Sequence, residues 1–304
     1  FAWMIPLALL CLSGGMALYV GIVGWAVYIS SPQGIRRVFN LALFWVLFEW
    51  IRGWAFSGFP WNLIGTVWTI SEPMIQVASV TGVLGLSLFT MVAAVAPAIF
   101  GNKDIPKSKR WIFTSTAWML LVVIWVGGYV RLSDVEKTNM SGIILRLVQP
   151  NIPQADKWKP ELLRAHFDKL LTMSTDLGQG GKRNPTHIIW PETATPFFLE
   201  RVPEALQVIA AVTPEKGAII TGALRRKVGP GIVEKSWNSI HVIDSRANIK
   251  DTYNKHHLVP FGEFVPFRHY LTISSIAGGR KDFSPGVGLK TLTVPGSAPV
   301  IPLI

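Results

Sequence analysis

The sequence predicts a membrane-bound α/β protein, in which a bundle of bilayer-crossing helices is followed by a separate domain of alternating strands and helices. Three observations carry that prediction. Half of the 304 residues are apolar and only 15% are charged, with a mean hydropathy of +0.37, which is more apolar than a soluble domain. The apolar residues fall in long runs before about residue 130 and in short runs broken by Pro, Gly and charge after it. The second half then alternates strand-like and helix-like segments, as in sheets covered by helices. The expected division is residues 1–130, transmembrane, and residues 131–304, a domain long enough to bury its own core.

Four stretches of the first half are candidates to cross a bilayer, for which about 20 mostly apolar residues are needed. They are Phe1 to Ile29, Val38 to Ile51, Ile75 to Phe100 and Trp111 to Val130. The second is the shortest, and Arg52 beside it can snorkel to the interface. One connecting loop holds Arg36 and Arg37, another holds Lys103, Lys107, Lys109 and Arg110, and the loop between them, Gly53 to Met74, has no Lys or Arg. The positive-inside bias makes the basic loops cytoplasmic. Alternation then places Gly53 to Met74, and everything after Val130, on the outer side.

The chain opens on Phe without a basic leader or cleavage site, so the first apolar run reads as neither a secretory signal nor a natural beginning. Its one cysteine, Cys11, lies within that run, which leaves no disulfide framework and no thiolate metal site. The net charge of +11 is scattered rather than gathered on one motif. It therefore points to anionic lipid headgroups and not to nucleic acid.

In the second half, Gly142 to Gln149 is a β-rich run, and Leu163, Phe167, Leu170 and Leu171 stand at helical spacing. Further strands are expected in "HIIW", "GAIITGAL", "SWNSIHVID", "NIKDTYN", "KTLTV" and "PVIPLI", with a helix across "PEALQVIAAV". Chemistry in such folds gathers at the carboxyl ends of strands. Glu192 sits at one of these ends, beside Trp190, Pro191, Phe197 and Phe198. An apolar setting there would partly desolvate the carboxylate and suit it to proton transfer near neutrality. A loop acid capping a helix would look the same, and Thr193 and Thr195 are alternatives for that cap.

The stretch "YNKHHLVPFGEFVPF", Tyr253 to Phe267, places Lys255 and Glu263 in an aromatic, proline-rich loop after a strand. The lysine is suited to an oxyanion and Glu263 to holding that lysine, although a surface lysine and a solvated acid would read alike. His256 and His257 are adjacent, so on an extended chain they point to opposite faces, which argues against a metal site.

"VQPNIPQADKW", "IIWPET", "YNKHHLVPFGEFVPF" and "DFSPG", in this order, resemble the nitrilase-type domain of the apolipoprotein N-acyltransferases. "LFWVLFEWIRGW" and "GFPWNLIG" extend the resemblance into the membrane half. The resemblance implies a four-layer α-β-β-α nitrilase-like sandwich after the helices, in a bacterial inner membrane, with the domain periplasmic. It implies a Glu-Lys-Cys triad in which Glu192 is the general base and Lys255 the cation, with Glu263 supporting the site. The nucleophile of that family belongs to a Cys-Tyr-Glu sequence after a strand. It is expected beyond "PVIPLI", so the chain reads as shortened at both ends and inactive by itself.

The implied reaction carries an acyl chain from a phospholipid, through a cysteine thioester, to the N-terminal amine of a diacylglyceryl apolipoprotein, without metal or cofactor. Trp158, Trp61 and Phe261 are the residues assigned to lipid substrate, Trp158 as a border of the acyl pocket. Core packing for Trp158, and an aromatic belt for Trp54, Phe59, Trp61 and Trp68, are the plainer readings. Glu49 and Arg52 stand three apart on one helical face and are expected to pair. Two other functions remain open: a membrane-anchored nitrilase-like amidase, disfavoured by the apolar outer loop, and a non-catalytic transporter or scaffold, disfavoured by how few polar residues the helices carry.

Overall fold

The structure is a computed structural model that describes residues 5–31, 33–55, 58–133, 142–176, 184–195, 197–229, 232–266 and 282–302. It divides into two compact units, Phe1–Thr138 and Asn139–Ile304.

The first unit is helical. Its elements are α1 (Ile5–Ser30), α2 (Ile35–Arg52), a one-turn α3 (Glu72–Ile75), α4 (Ala78–Val95) and α5 (Lys107–Ser133). Among the described residues three stretches, Ile5–Ser30, Ala78–Gly101 and Lys107–Ser133, are long and apolar enough to span a bilayer. The fourth expected span is helical too, but α2 has 18 residues that include Arg36, Arg37, Glu49 and Arg52. At about 1.5 Å per residue it reaches roughly 27 Å, close to the hydrocarbon thickness. Its four charges, not its length, set it apart. α4 carries a non-helical residue, Gly82 at φ 68°, and passes into a 3-10 turn at Ala96–Gly101 that holds Pro97. α2 packs against both α1 and α4. The walls of α1 face outward along nearly its whole length, with only Val23 and Val27 buried.

The second unit is built on a five-stranded sheet in the order β1-β2-β3-β4-β5. The strands are β1 (Leu145–Leu147), β2 (His187–Ile189), β3 (Ala218–Gly229), β4 (Ile232–Ile243) and β5 (Ile249–Asn254). β1, β2 and β3 run parallel, joined through α6 (Leu163–Thr175) and α7 (Pro203–Val212). Parallel neighbours need such crossovers. β3, β4 and β5 then form an antiparallel meander.

Period-two alternation sorts the sheet's side chains to opposite faces. Ile188, Ile219, Ala223 and Ile243 join Phe167, Leu170, Leu199 and Ile209 in a core beneath the helices. Ala218, Val242 and Tyr253 meet Leu292 and Val294 in a second core. The described residues of "KTLTV" and "PVIPLI" form no strand; they supply a single antiparallel bridge, Leu292 to Val300. His187 ties β2 to this segment through an Nε2 contact of 2.8 Å with the Pro295 carbonyl.

β3 and β4 run well past their neighbours. β2 pairs only with Ala218 to Ile220 of β3, and β5 only with Ser239 to Ile243 of β4. Farther out β3 carries Arg225, Arg226 and Lys227, and Lys227 stands directly opposite Lys235 of β4.

Candidate active site

Glu192, Lys255 and Glu263 come together at the carboxyl ends of β2 and β5. β2 delivers its end through Trp190, whose ring is buried, donates from Nε1 to Ser174 Oγ at 2.8 Å, and lies edge-on to Phe167. Beyond it the chain keeps following β3: Trp190 N–H donates to the Ile220 carbonyl, Gly222 N–H to Pro191, and Ala194 N–H to Gly222. A side chain at Gly222 would not fit, because its Cβ would lie 2.6 Å from both Glu192 Cα and Thr193 N. Thr193 itself adopts φ 46°, a strained conformation for a β-branched residue. The turn holding Glu192 is thus pressed against β3 and shaped by it.

Lys255 follows β5 directly. Its N–H donates to the Asn238 carbonyl of β4 at 2.8 Å, and its side chain is buried. Its Nζ lies 3.1 Å from each oxygen of Glu263 and 3.7 Å from Glu192 Oε1. Glu263, also buried, accepts from Val259 N–H at 2.9 Å and from Asn238 Nδ2 at 2.9 Å. Burial pushes its carboxyl up, and the Asn238, Val259 and Lys255 donors together outweigh this and hold it below the usual carboxylate value. The buried acid is therefore an anion, and it holds Lys255 Nζ in place through both of its oxygens.

Asn238 was not singled out from the sequence, yet it joins the two acids. Its Nδ2 donates to Glu263 and also to Glu192 Oε1. An amide nitrogen carries two hydrogens, and both are used. Asn238 Oδ1 is buried with no partner. Along β4 Asn238 shares a face with Ser236 as well as Ile240, so the alternation of the strand does not set it apart. Lys157 was missed as well: its Nζ donates to Thr193 Oγ1 at 2.6 Å and to the Glu192 carbonyl at 3.2 Å. Desolvation lowers its pKa, opposed by the Glu192 charge.

Other expectations need correction. The Glu192 side chain is 52% exposed, half-buried rather than enclosed by its apolar neighbours, because Trp190 turns into the core. Trp158 is exposed and is no core residue; with Lys157, His166, Glu192 and Thr193 it lines a cavity of ≈190 Å³. Phe261, at φ 60° and exposed, does not line that cavity. Trp61 belongs to the helical unit, where its ring stacks on Phe59 at 6.3 Å. Glu49 and Arg52 do not pair. Glu49 Oε1 instead accepts from Trp45 Nε1 at 3.1 Å and Ile64 N–H at 2.7 Å, while Arg52 Nη2 donates to the Trp61 carbonyl at 2.8 Å.

Residues 1–96 match the family model described as the apolipoprotein N-acyltransferase N-terminal domain. Over its whole length the chain is similar to curated proteins named apolipoprotein N-acyltransferase. That of Rhodopseudomonas palustris is 33% identical over 319 residues and that of Rhizobium rhizogenes 35% over 312, each alignment covering 100% of this chain. That of Brucella suis is 33% identical over 312 residues, again across 100% of this chain. The resemblance drawn from the motifs therefore holds from end to end. The chain spans 58% of the length of these relatives. A solved glutamine-dependent NAD+ synthetase from Acinetobacter baumannii aligns with 43% of the chain and 23% of its own length at 16% identity and a TM-score of 0.28, too slight a likeness to inform the fold.

Proposed function

We propose that the chain is part of an apolipoprotein N-acyltransferase, with Glu192, Lys255 and Glu263 as its acid-base and electrostatic machinery. The observation that supports this most is the cluster itself: an ammonium ion fixed by a buried carboxylate, 3.7 Å from a second, accessible carboxylate. In a chain similar throughout to these acyltransferases, it provides what a thiol nucleophile needs.

In the reaction we propose, Glu192 takes the proton of a cysteine thiol, and the thiolate attacks the ester carbonyl of a phospholipid. The resulting oxyanion is held by Lys255 and backbone N–H groups. Its collapse breaks the carbon–oxygen bond, and Glu192 returns the proton to the departing lysophospholipid alkoxide. The α-amine of a diacylglyceryl apolipoprotein then attacks the thioester and loses a proton by way of Glu192. The amide forms and the thiol is regenerated. Cys11 is not that thiol, since it lies within α1.

The proposal includes a nitrilase-like α-β-β-α sandwich, of which the five-stranded sheet with α6 and α7 is one sheet and one helical layer. It also places the domain on the periplasmic side of the inner membrane, with the Lys103 to Arg110 loop cytoplasmic. Full-length protein and the 304-residue chain, incubated with acyl-labelled phospholipid and an S-diacylglyceryl peptide, provide the test. Only the full-length protein should trap a hydroxylamine-sensitive thioester, and Glu192→Gln should abolish it. Equal turnover by the 304-residue chain would show that the nucleophile and the role of Glu192 are wrong. A cysteine at Ser108 that reacts with an impermeant reagent from outside would overturn the orientation.

A further inference from the structure

After β2 the chain is anchored to β3 on either side of the proposed base. The Pro191 carbonyl takes Gly222 N–H, the Ala194 N–H donates to the Gly222 carbonyl, and Thr195 bridges to Ala223. Glu192 and Thr193 lie between these anchors, and among the described residues no backbone group bonds the backbone of either one. Lys157 supplies what β3 does not. Its Nζ donates to the Glu192 carbonyl at 3.2 Å and to Thr193 Oγ1 at 2.6 Å, so one side chain grips both residues of the turn. Thr193 needs that grip, because at φ 46° its β-branched side chain sits where such residues are strained.

The lysine is itself held. It belongs to the turn after β1, where Asp156 N–H donates to the Pro153 carbonyl at 2.9 Å and Lys159 N–H to the Asp156 carbonyl at 3.2 Å. Lys159 Nζ closes the same turn on Asp156 Oδ1 at 2.6 Å, and Lys157 Nζ lies 5.7 Å from the centre of the Trp158 ring. Lys157 is half-buried, and bonds made away from water are stronger than bonds made in it. What it holds decides where the carboxylate can act. Glu192 Oε1 accepts from Asn238 and faces Lys255, while among the described residues nothing bonds Oε2. The oxygen left for a proton is therefore placed by the backbone that carries it. A displacement of about 1 Å at such a group costs on the order of a hundredfold in rate.

We propose that Lys157 is a positioning residue for Glu192: it clamps the strained Glu192–Thr193 turn, so that the free carboxylate oxygen stays where protons are exchanged. This rests on the reading of Glu192 as the acid-base group. Lys157 acts through the turn and not on either substrate. Because Glu192 serves both half-reactions, losing the clamp slows both of them, whereas losing a contact to the phospholipid would slow only the first.

Lys157→Met in the full-length protein is the discriminating variant, since it keeps the stem and removes the donor. Thioester formation from acyl-labelled phosphatidylethanolamine is followed first, and then release of thioester accumulated over a long incubation to an S-diacylglyceryl peptide. Both rates are expected to fall about ten- to a hundredfold, with the KM for phospholipid within about twofold of wild type. Lys157→Arg, which restores a donor, should recover part of each rate. Thr193→Val deletes one of the two bonds and should cause a smaller loss in both steps, adding little when combined with Lys157→Met. A raised phospholipid KM with the second step untouched would make Lys157 a lipid contact and overturn the proposal, as would losses that add in full. Glu192→Gln, run in parallel, separates the two claims. If it turns over at the wild-type rate, the acid-base reading itself fails; if it is dead while Lys157→Met runs at full speed, only the positioning role fails. Limited proteolysis against temperature that Lys157→Met leaves unchanged shows that lost rate is not lost folding; where it changes, Thr193→Val carries the decision.

Discussion

Replacing Lys255 with methionine removes one ammonium ion and little else, because the stem and its volume remain. Glu263, 5% exposed, would then keep only Asn238 Nδ2 and Val259 N–H. Deleting one partner of a buried ion pair costs about 3–5 kcal/mol, and the two surviving donors place this case near the lower limit, at about 3 kcal/mol. For a domain of this size each kcal/mol moves the midpoint by about 2–4 °C, so the expected loss is roughly 6–12 °C. Limited proteolysis of the whole chain against temperature, with cleavages mapped to residues 142–302, reads this unit without the melting of the helices. The cost comes from a stranded anion, so adding Glu263→Gln to Lys255→Met should recover part of the loss, with a coupling above about 0.5 kcal/mol. Strict additivity of the two substitutions would refute the claim that Lys255 and Glu263 form one electrostatic unit.

Asn238→Asp would insert a third carboxylate between Glu192 and Glu263; thioester formation by the full-length protein should fall at neutral pH and recover partly in acid, and an unshifted pH profile would remove Asn238 from the site. Gly222→Ala should cost about 1–3 kcal/mol by overpacking and slow acylation more than it weakens lipid binding, because the new methyl meets the backbone of Glu192 and Thr193; a kcat equal to wild type would show that the turn yields freely. His241 is held at a pKa of about 4 by burial and then by the Arg225 charge. Its depressed value means that the unfolded chain binds the extra proton first, so stability should fall from about pH 6.5 down to 4 by up to about 3 kcal/mol, and His241→Gln should flatten that stretch of the melting curve. Glu263, whose carboxyl is held below 4.5, adds a stability present above that value and lost as pH falls through the lowered one; a Glu263→Gln variant as acid-sensitive as wild type below pH 4.5 would contradict this.

Much of the second unit was legible because its signals are local. "HIIW" and "GAIITGAL" are apolar and β-branched, and they become β2 and the start of β3. "PEALQVIAAV" begins with proline, which fits a first helical turn, and coincides with α7. The acids and the lysine were legible from motif order. Asn238 and Lys157 were not, since their parts are defined by atoms some 25 to 46 positions away. The expected Glu49–Arg52 pair failed for the same reason: spacing along one helix could not show that the loop after it would bring the Ile64 N–H to Glu49 first. "KTLTV" and "PVIPLI" carry strand-like composition, but a strand is made by its neighbours, and among the described residues they have only one bridge.

The outer reach of β3 and β4 is a ribbon two strands wide. Beyond Ser236, whose carbonyl takes the Ser284 N–H, no other described strand pairs with either edge of it. Open edges of this kind invite any extended chain to add itself, and proteins resist that with charge. Lys227 facing Lys235 repels within the ribbon and costs a little stability. The same repulsion confronts an incoming strand at close range, so the lysine pair opposes strand addition at this ribbon.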